Sequence, residues 1–327
     1  MQNPLIKSKQ SSLKIKHLQY KNNNKRNLPS WFRQNIPNLD KMQSMRCLLK
    51  DLSLNTVCQG ARCPNIGYCW GKGVATFMIL GAVCTRACRF CAVNTGAPSE
   101  VDINEPENIA DAIKKLALKY VVITSVTRDD LEDQGVGQFI KTINAIRNTS
   151  PNTKIEVLIP DFQNKIELLN SLLKSQPDVI SHNIETVERV FDVARPQANF
   201  DRSLSVFRNI NTYCKEKGII LKSGFMLGLG ETKKEVIDLI AQLRNVGCDI
   251  LTIGQYLAPK ESSRHLPIKE FISPEQFDWY KNKAQDLGIK YVASGPLVRS
   301  SFLAEEGYFY LKDRRYKHNP ISIKIVA

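Results

Sequence analysis

Phe77-Met-Ile-Leu-Gly-Ala-Val83-Cys84-Thr-Arg-Ala-Cys88-Arg-Phe-Cys91 joins a short apolar run to a loop carrying three thiols. Residues 77–83 have the length of a buried strand and fall far short of the roughly 20 apolar residues that a membrane span needs. Comparable runs recur at 120–126, 155–159, 179–184, 219–227 and 250–257, separated by helical stretches. This alternation predicts an α/β fold on a parallel sheet of six strands, either a barrel or an open sheet. The best-marked helix starts at the capping box Thr232-Lys-Lys-Glu235, carries Val236, Leu239, Ile240, Leu243 and Val246 on one face, and stops at Gly247. Another starts at Ser273-Pro274 and ends near Gly288.

In such a fold, strand-to-helix loops gather at the C-terminal ends of the strands, where α/β sites assemble. Polar residues fall there along the whole chain. Cys84 follows the first expected strand, 124–130 spans the end of the second, Asn183 and Glu185 close the fourth, and 228–231 follows the fifth.

Seven of the nine cysteines lie between Cys47 and Cys91. A disulfide framework suits a short exported chain, whereas here the count is odd, the chain is long, and no apolar stretch follows the basic N-terminus. Metal binding is the better reading. Cys84, Cys88 and Cys91, spaced C-x3-C-x2-C, suit three corners of a [4Fe–4S] cube with the fourth iron left open. Zinc is the alternative, although its structural sites favour C-x2-C pairs and none of His17, His182, His265 and His318 lies near the loop. Cys58, Cys63 and Cys69 form a second array, C-x4-C-x5-C, with Pro64 and Gly67 supplying turns. They imply a second cluster or, alternatively, a structural staple for an irregular lobe. Cys47, Cys214 and Cys248 have no partner at ligand spacing, and the last two read as small core residues.

The formal charge of +14 favours an acidic partner without choosing its kind. Residues 1–39 hold eight Lys or Arg and no acid. Residues 1–30 are therefore expected to be a solvated basic tail, an organelle transit peptide being the alternative. Residues 31–76 then form a mostly irregular cluster-binding lobe, 77–290 the sheet domain and 291–327 a C-terminal segment. The protein is expected to be soluble and intracellular.

C-x3-C-x-F-C after a first strand resembles the radical SAM (S-adenosyl-L-methionine) superfamily. Gly224-Phe-Met-Leu-Gly228-Leu-Gly-Glu231 is similar to its fifth-strand motif beside the adenine, with Met226 where Ile is commoner. The second cysteine array, together with Arg299-Ser300-Ser301-Phe302, resembles the lipoyl synthase family, Phe302 standing where Tyr is commoner. The resemblance runs from about Trp31 to about Glu306. It implies a partial (β/α)6 TIM-type barrel, two [4Fe–4S] clusters and S-adenosyl-L-methionine. Cys84, Cys88 and Cys91 are implied to hold the SAM-binding cluster, while Cys58, Cys63 and Cys69, with Ser301 as fourth ligand, hold an auxiliary one. Phe90, Thr124, Asn183, Glu185, Gly228 and Glu231 are implied to surround SAM, with Gln255 and Tyr256 as weaker candidates.

The implied reaction inserts sulfur at carbons 6 and 8 of an octanoyl group amide-linked to a carrier-protein lysine, with the auxiliary cluster as sulfur donor. Those C–H bonds are unactivated, so a radical is the route that a base or nucleophile cannot offer. Implied partners are the lipoyl domains of 2-oxoacid dehydrogenases, the glycine-cleavage H protein, a ferredoxin or flavodoxin, and an iron–sulfur carrier, but no nucleic acid. The implied location is the cytoplasm, or an organelle matrix or stroma in a eukaryote. Two rivals are weighed. A tRNA methylthiotransferase would need an RNA-binding module for which 289–327 is too short, and a non-catalytic metal-stapled binding protein leaves the 224–231 motif unexplained.

Overall fold

Parallel strands cannot be joined by tight turns, so each pair needs a crossover, and helices supply it here. The computed structural model describes residues 28–34, 37–259 and 264–312; the expected tail through residue 27 and the last residues from 313 lie outside the described residues. In chain order the elements are α1 Leu39–Asp51, α2 Val57–Gly60, α3 Ile66–Gly71, β1 Thr76–Ile79, β2 Val83–Cys84, β3 Asn94–Thr95, α4 Glu105–Lys115, β4 Tyr120–Ser125, α5 Val136–Thr149 and β5 Lys154–Leu158. They continue as α6 Ile166–Lys174, β6 Val179–Ser181, α7 Glu188–Ala194, α8 Phe200–Lys217, β7 Ile220–Leu227, α9 Lys233–Asn245, β8 Ile250–Gln255, α10 Pro274–Asp286, β9 Tyr291–Gly295 and α11 Ala304–Lys312.

The main sheet is wholly parallel, in the order β1-β4-β5-β6-β7-β8-β9, and remains open between β1 and β9. It has seven strands where the sequence suggested six. The added strand, β9, has no apolar run and no regular alternation of buried residues, so it carries little strand signal. The first expected strand also divides. Leu80 and Gly81 take positive φ (69° and 91°), which turns the chain after β1, and Val83–Cys84 pairs instead with β3. The lobe before β1 is less irregular than expected. Met42, Met45 and Leu49 recur at helical spacing and are buried, and Asn38 caps α1 by accepting the Lys41 N–H at 2.9 Å. The Thr232/Glu235 capping box and the Ser273 cap are present as expected.

Successive strand residues face opposite ways. Val121, Ile123, Ile155, Val157, Leu221 and Ile253 join the large core, whereas Tyr120, Val122, Val179, Ile220 and Ile250 pack with Ala304 and Tyr308 of α11. The C-terminal helix thus lies against the sheet face away from that core. Gly307 permits this approach, since a Cβ there would sit 3.0 Å from the Tyr291 ring and 3.1 Å from Ile250. Lys312 fastens the helix end by donating to Gly218 O at 2.7 Å.

On that face Lys222 and Glu156 are buried together, 1% and 0% exposed. Lys222 Nζ donates to both carboxylate oxygens, at 2.8 and 2.9 Å, and Tyr120 OH donates to Glu156 Oε2 at 2.6 Å. Removing one partner leaves an uncompensated buried charge. Lys222→Met is therefore expected to lower unfolding free energy by about 3–5 kcal/mol in denaturant titration. Lys222→Met with Glu156→Leu should recover much of that loss; a double variant no better than the single would contradict the pairing.

Candidate paired thiol sites at the strand ends

The 84–91 loop leaves β2 and is pinned on several sides. Cys84 Sγ accepts the N–H groups of Arg86 at 3.4 Å and Thr127 at 3.2 Å, and Cys91 Sγ accepts that of Val93 at 3.4 Å. Ala87 N–H donates to Gln197 Oε1 at 2.6 Å, and Arg89 N–H to Ala194 O at 2.8 Å. From the far side, Leu266 N–H reaches Arg89 O at 2.9 Å, and His265 Nε2 lies 3.1 Å from Cys91 O. Burial pushes the Cys88 thiol up, Arg195 beside it opposes this, and the negative charges of Glu185 and Cys84 add to it. Burial, with Cys88 and Cys84 nearby, pushes Cys91 up to about 12.

Around this loop stand the polar residues of the strand ends. Asn183 Nδ2 donates to Ser300 Oγ at 2.6 Å, while its buried Oδ1 has no partner among the described residues. Glu185 is stitched to β7, donating its N–H to Gly224 O (3.1 Å) and accepting from Met226 N–H (2.8 Å), and burial raises its pKa. Gly224 lets Thr252 and Asn183 approach β7 closely: a Cβ would lie 2.3 Å from Thr252 Oγ1 and 3.1 Å from Asn183 Oδ1. Arg195, 8% exposed, donates from Nη1 to Asn183 O at 3.1 Å, and its Nε has no partner among the described residues. The same holds for the buried Ser125 Oγ. Buried orphan donors and acceptors call for a partner. A ligand bearing an amine, a carboxylate and hydroxyls has the complementary groups, so this inventory fits SAM.

Other expected site residues serve their own backbone. Thr124 donates to Leu158 O at 3.0 Å. The Glu231 carboxylate accepts the N–H groups of Gly228 and Leu229, which shapes the turn after β7. Gly228 has φ +96°, and a Cβ there would be 2.1 Å from Gln255 Nε2. Buried Gln255 braces the same turn, donating to Leu227 O and Glu270 O and accepting from Ile272 N–H at 2.8 Å. Phe90 packs half-buried against the core.

The second array converges across the length of the chain. Cys58 lies on α2, Cys63 in the following turn and Cys69 on α3, and all three line one cavity with Asn65, Arg299, Ser301 and Phe302. Three contacts seat the segment that carries Ser301. Asn65 Nδ2 donates to Leu297 O at 2.7 Å, Asn183 reaches Ser300, and Gly254 lets Val298 O approach where a Cβ would be 2.1 Å away. Burial pushes up Cys58 and Cys63, with Arg299 opposing it at Cys63. Cys69 is pushed up to about 12 by burial and then by Cys58 and Cys63. Three thiols that rim a cavity with no His among its lining residues suit a cluster in which each iron takes its own sulfur. The sequence carried no signal for Asn65 or Arg195 beyond their residue types.

Residues 78–243 match the family model of the radical SAM superfamily, and residues 2–63 match that of the N-terminal domain of lipoyl synthase of the radical SAM family. The lipoyl synthase of Caldicellulosiruptor saccharolyticus is 52% identical over 278 residues, covering 85% of this chain and 96% of that protein. That of Flavobacterium psychrophilum is 50% identical over 85% of this chain and 94% of its own length. The mitochondrial lipoyl synthase of Nematostella vectensis gives the same identity and coverage. Among solved structures, Streptococcus suis SuiB bound to S-adenosylmethionine aligns with TM-score 0.51 at 15% identity, over 79% of this chain and 61% of that one. HydG, a maturase of the [FeFe]-hydrogenase, aligns with TM-score 0.50 at 15% identity, over 72% and 58%. These two likenesses concern the fold alone.

His182, directly before Asn183, ties the site to pH. Its Nδ1 lies 2.9 Å from Ile159 O, its ring packs on Phe207, and burial together with the charge of Arg195 lowers its pKa to about 4. The unfolded chain titrates near 6.5 and so binds more protons between those values; stability is full above about 6.5 and falls as pH drops toward about 4. Denaturant midpoints measured across this window are expected to decline, and His182→Gln should flatten the slope. An unchanged slope in that variant would assign the acid loss elsewhere.

Proposed function

This chain belongs to the lipoyl synthase family of the radical SAM superfamily, and we propose that Cys84, Cys88 and Cys91 hold its SAM-binding [4Fe–4S] cluster while Cys58, Cys63, Cys69 and Ser301 hold the auxiliary one. The enzyme is a radical SAM sulfurtransferase that inserts two sulfur atoms into a protein-bound octanoyl chain. When bound, the clusters and SAM supply the one-electron chemistry that opens unactivated C–H bonds and the sulfur that is inserted. The observation that carries the assignment is the meeting of three N-terminal thiols and Ser301 at one cavity.

The protein's own groups have separable tasks. Asn183 Oδ1 and Arg195 Nε offer an acceptor and a donor to the polar parts of SAM, with the Glu185 carboxylate beside them. Thr124 and Glu231 act as supports, because their side chains are bonded to backbone. Ser301 brings an oxygen, a harder donor than thiolate and a poorer match for Fe–S iron, so its corner is the easiest to release. The Asn183–Ser300 hydrogen bond links the SAM side to the Ser301 segment.

The proposed domains are residues 1–30 as a basic extension, 31–76 as the auxiliary-cluster lobe, 77–290 as the catalytic sheet domain, and 291–327 as the segment that delivers Ser301 while lending β9 to the sheet. The enzyme acts on lipoyl carrier proteins and needs a reductant. Lipoyl domains of 2-oxoacid dehydrogenases and the glycine-cleavage H protein are the proposed carriers, ferredoxin or flavodoxin the electron donor, and an iron–sulfur carrier the supplier of new clusters. The cytoplasm is the proposed location, or an organelle matrix in a eukaryote; among the described residues no helix is long and apolar enough to cross a membrane.

Anaerobically reconstituted protein given SAM, reductant and an octanoylated carrier is expected to add two sulfur atoms to the carrier, read by mass spectrometry, and to form 5′-deoxyadenosine. Deoxyadenosine without sulfur gain would leave a radical SAM enzyme of another kind. Cys63→Ala should reduce iron from about eight to about four per chain and abolish sulfur insertion. Ser301→Cys should keep full iron and sulfide yet slow turnover by more than roughly tenfold; wild-type turnover in that variant would remove Ser301 from its role.

A further inference from the structure

Arg86, inside the 84–91 loop, is 4% exposed and sits in a charge network that the reaction does not use directly. Its Nε donates to Asp129 Oδ2 at 2.7 Å and its Nη2 to Asp129 Oδ1 at 2.8 Å, a two-pronged fit, and Nη2 also reaches Asp161 Oδ1 at 2.8 Å. Asp161, fully buried, is held from its other side by Arg202 Nε at 2.9 Å. The neighbouring residue completes a zipper between loop and strand end. Thr85 N–H and hydroxyl both donate to Thr127 O, at 3.1 and 3.0 Å, and Asp129 N–H donates back to Thr85 Oγ1 at 3.1 Å. The zipper encloses one more contact, the Thr127 N–H on Cys84 Sγ at 3.2 Å.

We infer that Arg86 is a positioning residue: clamped between Asp129 and Asp161, it holds residues 127–129 so that the Thr127 N–H stays on the Cys84 sulfur, and it thereby sets the reduction potential of the cluster bound there. The inference rests on the assignment of Cys84, Cys88 and Cys91 to the SAM-binding cluster. Hydrogen bonds to ligand sulfur are one of the levers by which a protein raises the potential of an iron–sulfur centre, since they stabilise the added negative charge of the reduced state. A buried ion pair is weak evidence for stability, because desolvation offsets its attraction. What a guanidinium fork supplies, and an ammonium does not, is direction.

The network is neutral overall, two arginines against two aspartates, so a geometric effect and a charge effect can be told apart by sign. Arg86→Lys keeps the charge but loses the fork. Asp129→Asn is nearly isosteric and removes one negative charge. Charge alone predicts no change for the first and a higher potential for the second. Loss of the Thr127–Cys84 contact predicts a lower potential for both.

The test is an EPR-monitored redox titration of the full chain carrying both clusters, with and without SAM, the Cys84 cluster being recognised by the change that SAM induces in its signal. Wild-type protein lacking any SAM-sensitive signal would break the site assignment itself, separately from this inference. Given that signal, both variants are expected to retain wild-type iron, to shift the midpoint downward, and to leave the auxiliary signal in place. An unmoved midpoint in Arg86→Lys, or an upward shift in Asp129→Asn, overturns the inference. If Arg86→Lys fails to fold, Asp129→Asn, whose side chain is 26% exposed, decides the sign alone.

Discussion

Thiols grouped away from water resist becoming thiolates, because each loses hydration and each new negative charge repels the next. Cys69 and Cys91 feel this most strongly, with burial first and neighbouring cysteines adding to it. Neither group has enough nearby positive charge to reverse the effect: Arg195 acts on Cys88 and Arg299 on Cys63, and both thiols remain raised. An iron–sulfur core held by either array would supply the missing charge, so loading and ionisation would belong to one event. The surrounding structure holds the thiols of each array near one another.

The parallel sheet does this by bringing strand ends to one edge and bracing them there. The turn after β7 is built by Glu231, Gln255 and Gly228 from their own contacts, while Asn183 Oδ1 and Arg195 Nε are left without a partner among the described residues. The same edge receives the C-terminal segment. Asn65, Asn183 and Gly254 each make one close contact with residues 297–300, and α11 packs against the second face of the sheet just beyond residue 303. Ser301 is therefore held by packing on both sides of it.

Several elements could be read directly from residue order. The capping box at Thr232, the Ser273-Pro274 start and the buried runs of β4, β5, β7 and β8 are local signals, and the structure has them where expected. Other elements had weak or broken signals. α1 rests on three apolar residues in a polar, methionine-containing stretch, and β9 is a short, half-exposed edge strand completed only by pairing with β8. The expected first strand was broken by backbone conformation at Leu80 and Gly81, which hydrophobicity does not report.

Residue order narrowed the chemistry: the spacing of two cysteine arrays suits iron–sulfur clusters while leaving zinc or a structural staple open, because a short chain must wrap whichever metal it holds. Alternation of strands and helices settled the class of fold, since burial of each apolar face follows from local periodicity. Folding in three dimensions chose the distant groups that stand beside those arrays. A serine hydroxyl, an asparagine carbonyl or an arginine N–H has no distinctive local pattern, and its role arises from the close approach that Gly224, Gly254 and Gly307 permit and that hydrogen bonds between remote segments hold.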